Sequence, residues 1–178
     1  MKELIKEGDN EQVFRFIKEV ENIPIIKSFL VTDLDTYFSV FVFNIDKIKK
    51  EYVNIDIPFL KNITFDLAKR AIYDSYVHST GKDFNNIMYG VFIKDFTNTM
   101  VETYRKKNHD YGNSFDKSLD EDGLLVAKIR IGDKINRYNT LKDSKAKVKD
   151  ESIYDTLLDL ANYCIMTIMW IDLNYNKQ

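Results

Sequence analysis

Asp150-Glu151-Ser152-Ile153-Tyr154-Asp155-Thr156-Leu157-Leu158-Asp159-Leu160-Ala161-Asn162-Tyr163 is the stretch on which the reading of this chain turns. At about 100° per residue, Glu151, Asp155, Asp159 and Asn162 fall within roughly 80° of one another on a helix. Ile153, Leu157, Leu160, Cys164 and Ile168 occupy the opposite side and read as a core face. Like charges four residues apart repel by a few tenths of a kcal/mol, so an unpaired acid stripe needs a reason. One reason is a divalent cation, since Mg²⁺ and Mn²⁺ prefer hard carboxylate oxygens. The other is local: Ser152-x-x-Asp155 fits a capping box, and Glu151 suits the positive end of a helix dipole. Asp159 lies beyond the first turn, where neither cap nor dipole accounts for it. Past Asn162 the helix is apolar nearly all round through Leu173, so its acids are expected to face a partly closed cleft.

Residues 124–141 read as a second helix, with Arg130, Asp133 and Arg137 on one face and Leu124, Ala127, Ile131, Ile135 and Tyr138 on another. An intrahelical ion pair explains the first group. So does a phosphate site, with guanidinium groups gripping phosphate oxygens and Asp133 helping to hold a bridging metal. Residues 84–107 have helical spacing throughout, and residues 108–123 read as a polar loop carrying Gly112 and Gly123. Gly112 suits a helix stop and a turn, the favoured reading there; Tyr111 and Phe115 could instead stack on a base, with Asn113 and Ser114 supplying hydrogen bonds. Residues 143–150 read as a lysine-rich surface loop.

The N-terminal part is less legible. Glu11 to Val20 reads as a helix, Pro24 as the first turn of a short one, and Pro58 opens a helical stretch to about His78, broken at Ser79-Thr80-Gly81. Tyr37, Phe38, Val40, Phe41, Val42 and Phe43 give residues 36–45 strand composition, expected as a hairpin arm or buried strand, with a helix as the alternative. The fold expected is mainly α: a helical bundle in residues 96–178 and an N-terminal region, 1–95, packed on it.

Composition narrows the function. Net charge of −2 over 178 residues argues against coating nucleic acid, which needs a basic surface. Six glycines and two prolines leave little punctuation for a sheet. The single cysteine, Cys164, excludes an internal disulfide and sits on the apolar face. The apolar run at 163–173 is shorter than a bilayer span, and Met1 to Asn10 is charged, so no membrane and a cytoplasmic location are expected.

Asp110-Tyr111-Gly112-Asn113-Ser114-Phe115, Gly123-Leu124, Arg130-Ile131-Gly132-Asp133-Lys134-Ile135-Asn136-Arg137 and the stretch from Asp150 to Tyr163 together resemble the nucleotide-modification-associated domain 1 family, over residues 100–170. That family is found largely in bacteriophages and bacteria, and the resemblance implies modified-nucleotide metabolism inside a bacterial host cell. More loosely, paired acidic helices in a small α bundle are similar to MazG-type nucleoside triphosphate pyrophosphohydrolases, which bind Mg²⁺ with two acid pairs. Here the late pair is Asp155 and Asp159, and Asp133 stands alone in the earlier position. The expected protein binds a (deoxy)nucleotide and hydrolyses it if it is an enzyme. Asp133, Asp155 and Asp159 would hold Mg²⁺ or Mn²⁺, and Glu151, Asp155 and Asp159 would act on the water. Arg130, Lys134 and Arg137 would neutralise phosphates, and Asp110, Tyr111, Asn113 and Asn162 would contact sugar or base. A homodimer is expected. A non-catalytic protein engaging a host or phage partner through its aromatic N-terminal part is the alternative.

Overall fold

The computed structural model describes residues 4–23, 32–48, 56–81, 85–142 and 152–175. Among these residues there are seven helices and no strand. They are α1 (Glu11–Glu21), α2 (Leu34–Ile48), α3 (Ile57–Thr80), α4 (Asn86–Tyr111), α5 (Ser114–Asp122), α6 (Leu125–Leu141) and α7 (Ile153–Tyr175). The expected helix at Pro24, the lysine-rich loop and Glu151 lie outside the described residues.

α7 is the axis. It packs against α1, α3, α4, α5 and α6, and α2 closes the bundle against α3 and α6. Leu157, Leu160, Ala161, Cys164, Ile165, Ile168 and Ile171 are fully buried, each aliphatic side chain contributing about 1.5–3 kcal/mol by leaving water. Burial pushes the Cys164 thiol far up, as befits a core residue. With 23 residues, α7 is long and apolar enough to cross a membrane, but 72% of its apolar window is buried in the protein, as a bundle's central helix must be. One apolar cluster runs from Val13 on α1 to Ile171 on α7, through both parts of the chain.

The segment read for strand composition is a helix, α2. Leu34, Phe41 and Ile45 are buried at helical spacing, and Asp33 starts the helix by accepting from the Thr36 N–H at 2.7 Å. Local β preference of the aromatic and β-branched residues yields to that burial pattern and cap. Phe38 on α2 seats against Gly132 on α6: a Cβ at Gly132 would lie 2.9 Å from the ring Cζ. The glycine of the Arg130–Arg137 segment is therefore a packing residue.

The expected polar loop at 108–123 is also corrected. α4 continues to Tyr111, and α5 follows after a two-residue turn. Gly112 makes the turn at φ 57° and ψ −140°, a conformation that side chains resist. Phe115 and Leu119, one turn apart, fix α5 to the bundle, with Leu119 fully buried.

Candidate functional site

A cavity of about 360 Å³ opens where α4 ends, α5 begins and α7 passes its second to fourth turns. Its lining comes from Tyr104, Lys107, Asn108 and Tyr111 on α4, then Gly112 to Asp116. From α7 come Asp159, Asn162, Tyr163 and Met166. The acid face of α7 thus meets the turn that Gly112 makes possible, and Phe115 and Tyr163 close one side with ring centroids 5.1 Å apart. Tyr111 stands at the mouth, 71% exposed.

Asp159 is the charged centre. Its Oδ1 accepts from Lys107 Nζ at 2.7 Å and its Oδ2 from Lys134 Nζ at 2.8 Å, so the carboxylate bridges α4, α6 and α7. Burial alone would raise its pKa, but the two ammonium groups outweigh that and hold it below the usual carboxylate range. Lys107 and Lys134 together outweigh Asp159 by one positive charge, which the Asp116 carboxylate of the same cavity offsets when it is ionised.

Asp116 behaves oppositely. Burial, helped by the nearby charge of Asp120 and only partly offset by Arg15, pushes its carboxyl up to about 6. Asp120 itself accepts from Trp170 Nε1 at 2.7 Å. Asn162 is 5% exposed, and neither its Oδ1 nor its Nδ2 has a hydrogen-bond partner. A buried amide left open at both ends costs about 1–3 kcal/mol, so it stands out among the groups that line the cavity.

Of the residues read from sequence, Tyr111, Asn113, Asp159 and Asn162 come together here. Lys134 reaches the wall through Asp159. Asp155 does not: it forms the capping box, accepting from the Ser152 hydroxyl at 2.6 Å and backbone N–H at 3.1 Å while its own N–H donates to Ser152 Oγ. Asp133 is exposed on α6, as is Arg130; Asp110 is exposed and pairs with His109. Arg137 is half-buried and is not among the lining residues. The expected set of Asp133, Asp155 and Asp159 does not converge, and among the described residues no group of three acidic, His or Cys side chains could hold a metal ion. One acid caps a helix and another is neutralised by lysines, so this donor set does not fit Mg²⁺.

Sequence reading missed Lys107, Asn108, Asp116 and Tyr163. Lys107 is 52 residues from Asp159, and no local signal links them. Asp116 and Asp120 share the four-residue spacing of Phe115 and Leu119, which could have revealed α5 as a helix.

Neither any curated protein nor any solved structure matches the chain. The segment that supplies every wall of the cavity except Tyr104, residues 107–171, matches the family model of nucleotide modification associated domain 1.

Proposed function

We propose that this cavity binds a (deoxy)nucleotide, with the base inside and the phosphate toward the lysines. The observation that carries the reading is the Asn162 carboxamide, buried, lining the cavity and unpaired at both atoms. A carboxamide offers a donor and an acceptor side by side, the pattern that the Watson–Crick edge of each base presents in complement. Aromatic rings support the same reading: Phe115 and Tyr163 line the wall, Tyr111 flanks the mouth, and stacking on such rings contributes about 1–3 kcal/mol per base. The volume lies in the range of small-molecule sites, about 300–1,000 Å³. Lys107, which lines the cavity and is 53% exposed, keeps ammonium N–H groups beyond its bond to Asp159 to donate to a phosphate. Among the described residues no acid set is gathered for metal-assisted attack of water, and the reading is one of binding.

Thermal-shift measurements across nucleosides and nucleoside mono-, di- and triphosphates test this. Binding at a hundred times Kd raises stability by about 2.7 kcal/mol. At least one nucleotide should raise the midpoint, and Tyr111→Ala should reduce that rise; no rise with any of them would refute the reading.

A second reading, an interaction protein, draws on α4, where Ile87 is 81% and Val91 62% exposed one turn apart. A second copy of this chain is the proposed partner. Sedimentation should show a dimer that Val91→Glu dissociates; a monomeric wild type would dismiss it. The aromatic segment that first suggested a partner is largely committed to the core, with Phe41 buried and Tyr37 and Phe38 packed on it.

A further inference from the structure

Asn113 sits at the N-cap position of α5, yet its side chain makes no cap hydrogen bond. An Asn there ordinarily accepts from the helix's own N–H groups. Its oxygen is committed elsewhere: Asn113 Oδ1 accepts from Asn108 Nδ2 at 2.9 Å. Asn108 is buried at the end of α4 and is itself held from the N-terminal region. Its Oδ1 accepts from Asn10 Nδ2 at 2.8 Å, and its Nδ2 also donates to Gln12 Oε1 at 3.1 Å.

The direction of this chain of amides is set at its far end. Asn10 caps α1, its Oδ1 accepting from the backbone N–H groups of Gln12 at 3.1 Å and Val13 at 3.0 Å. Backbone N–H groups only donate, so the Asn10 oxygen must face α1 and its nitrogen must face Asn108. Asn108 then has to turn its oxygen to Asn10 and its nitrogen to Asn113. Asn113 in turn has to spend its oxygen on Asn108, which leaves its NH₂ as the group it can offer to a ligand in the cavity that it lines. An isolated amide could flip; this one is fixed by the start of a helix 103 residues away in sequence.

We propose that the start of α1 sets the hydrogen-bond polarity of Asn113, so that the cavity presents a donor there and selects ligands carrying an acceptor atom at that point. The proposal rests on the nucleotide-binding reading for the ligand, but the polarity itself belongs to the free protein. Asn10 and Gln12 are positioning residues. Both lie outside residues 107–171, so the site is completed by the part of the chain that the family match does not cover.

Asn10→Asp is the informative variant. Asp caps as well as Asn, so α1 is retained, but it cannot donate. Asn108 must then turn its nitrogen to position 10 and its oxygen to Gln12 and Asn113, both of which must turn their own NH₂ toward Asn108. In ¹⁵N-resolved spectra of the unligated protein, the Asn113 side-chain NH₂ should exchange rapidly with water in wild type and at least tenfold more slowly in Asn10→Asp. Its thermal midpoint should stay within about 2 °C of wild type. Unchanged exchange would overturn the proposal whatever the binding data show. With dUMP as the probe, Asn10→Asp and Asn113→Asp should each weaken binding at least tenfold, and equal affinity in all three proteins would also overturn it. Should wild type bind neither dUMP nor its amino counterpart dCMP while the exchange rate does switch, the relay stands and the nucleotide reading fails for these ligands.

Discussion

Replacing Asp116 by Asn should stabilise the protein at neutral pH by an amount that acid removes. Burial beside Asp120 raises the Asp116 carboxyl from its ordinary 3.8 to about 6, so above pH 6 folding must force a charge into a poorly solvated place. At about 1.4 kcal/mol per pH unit, that difference corresponds to ~3 kcal/mol. Asp116 is open to the cavity on one side, and solvent screening reduces the figure to roughly 1–2 kcal/mol. The sign follows from linkage. The stabilising contribution of the protonated carboxyl is fully present below the unfolded value of 3.8 and is lost as pH rises through about 6. Asn keeps the shape without the charge, so the wild-type deficit should be largest at pH 7.5 and fall to about half by pH 5. For a chain of this size, 1–2 kcal/mol moves the midpoint by about 2–8 °C. Scanning calorimetry of both proteins at pH 7.5, 6 and 5 measures it. A difference that does not vary with pH, or an Asn variant less stable at pH 7.5, would refute the assignment of Asp116 as a half-buried carboxyl with a raised pKa.

Three further outcomes follow from the same geometry. Gly132→Ala should lose about 1 kcal/mol, because overpacking against Phe38 costs about 1–3 kcal/mol and the gain in helix propensity returns about 1; Phe38→Leu should rescue it in a double-mutant cycle. Ser152→Ala removes the cap partner of Asp155 and should cost about 1 kcal/mol in urea unfolding, with no change in nucleotide binding. Lys134→Ala takes one of two ammoniums from the half-buried Asp159 and should cost about 1–3 kcal/mol at pH 7. Asp159 contributes its stability above about pH 4 and loses it as pH falls through its depressed value, so the Lys134→Ala deficit should shrink in acid.

The bundle was legible where periodicity was long and clean. α7 showed its core face, its acid side and its apolar continuation, and Gly112 marked the end of α4. α2 was not, because its aromatic and β-branched residues suit either state in isolation, and only burial of Leu34, Phe41 and Ile45 on one face decides. α5 was hidden by having just two apolar anchors among acids and serines. At the site, residues with base-like chemistry were found, since Tyr111, Asn113 and Asn162 carry it in their side chains. The metal reading was not supported by the described residues, because spacing on α7 cannot tell an acid that caps from one that faces a cleft. Asp155 took the local partner, Ser152. Asp159 took two lysines from helices that no local pattern connects to it. The amide relay from Asn10 is likewise invisible in sequence, since it depends on α1 lying beside the end of α4.

Asn162→Leu removes the open carboxamide on which nucleotide binding rests, and its effect is measured as the thermal midpoint with and without nucleotide. Leu keeps the volume and removes two buried, unpaired polar atoms, so the unligated variant should be more stable by about 1–3 kcal/mol. The nucleotide-dependent rise seen in wild type should disappear. A variant that is less stable when unligated, yet still stabilised by the same nucleotide to the same degree, would show that Asn162 is not where the nucleotide binds.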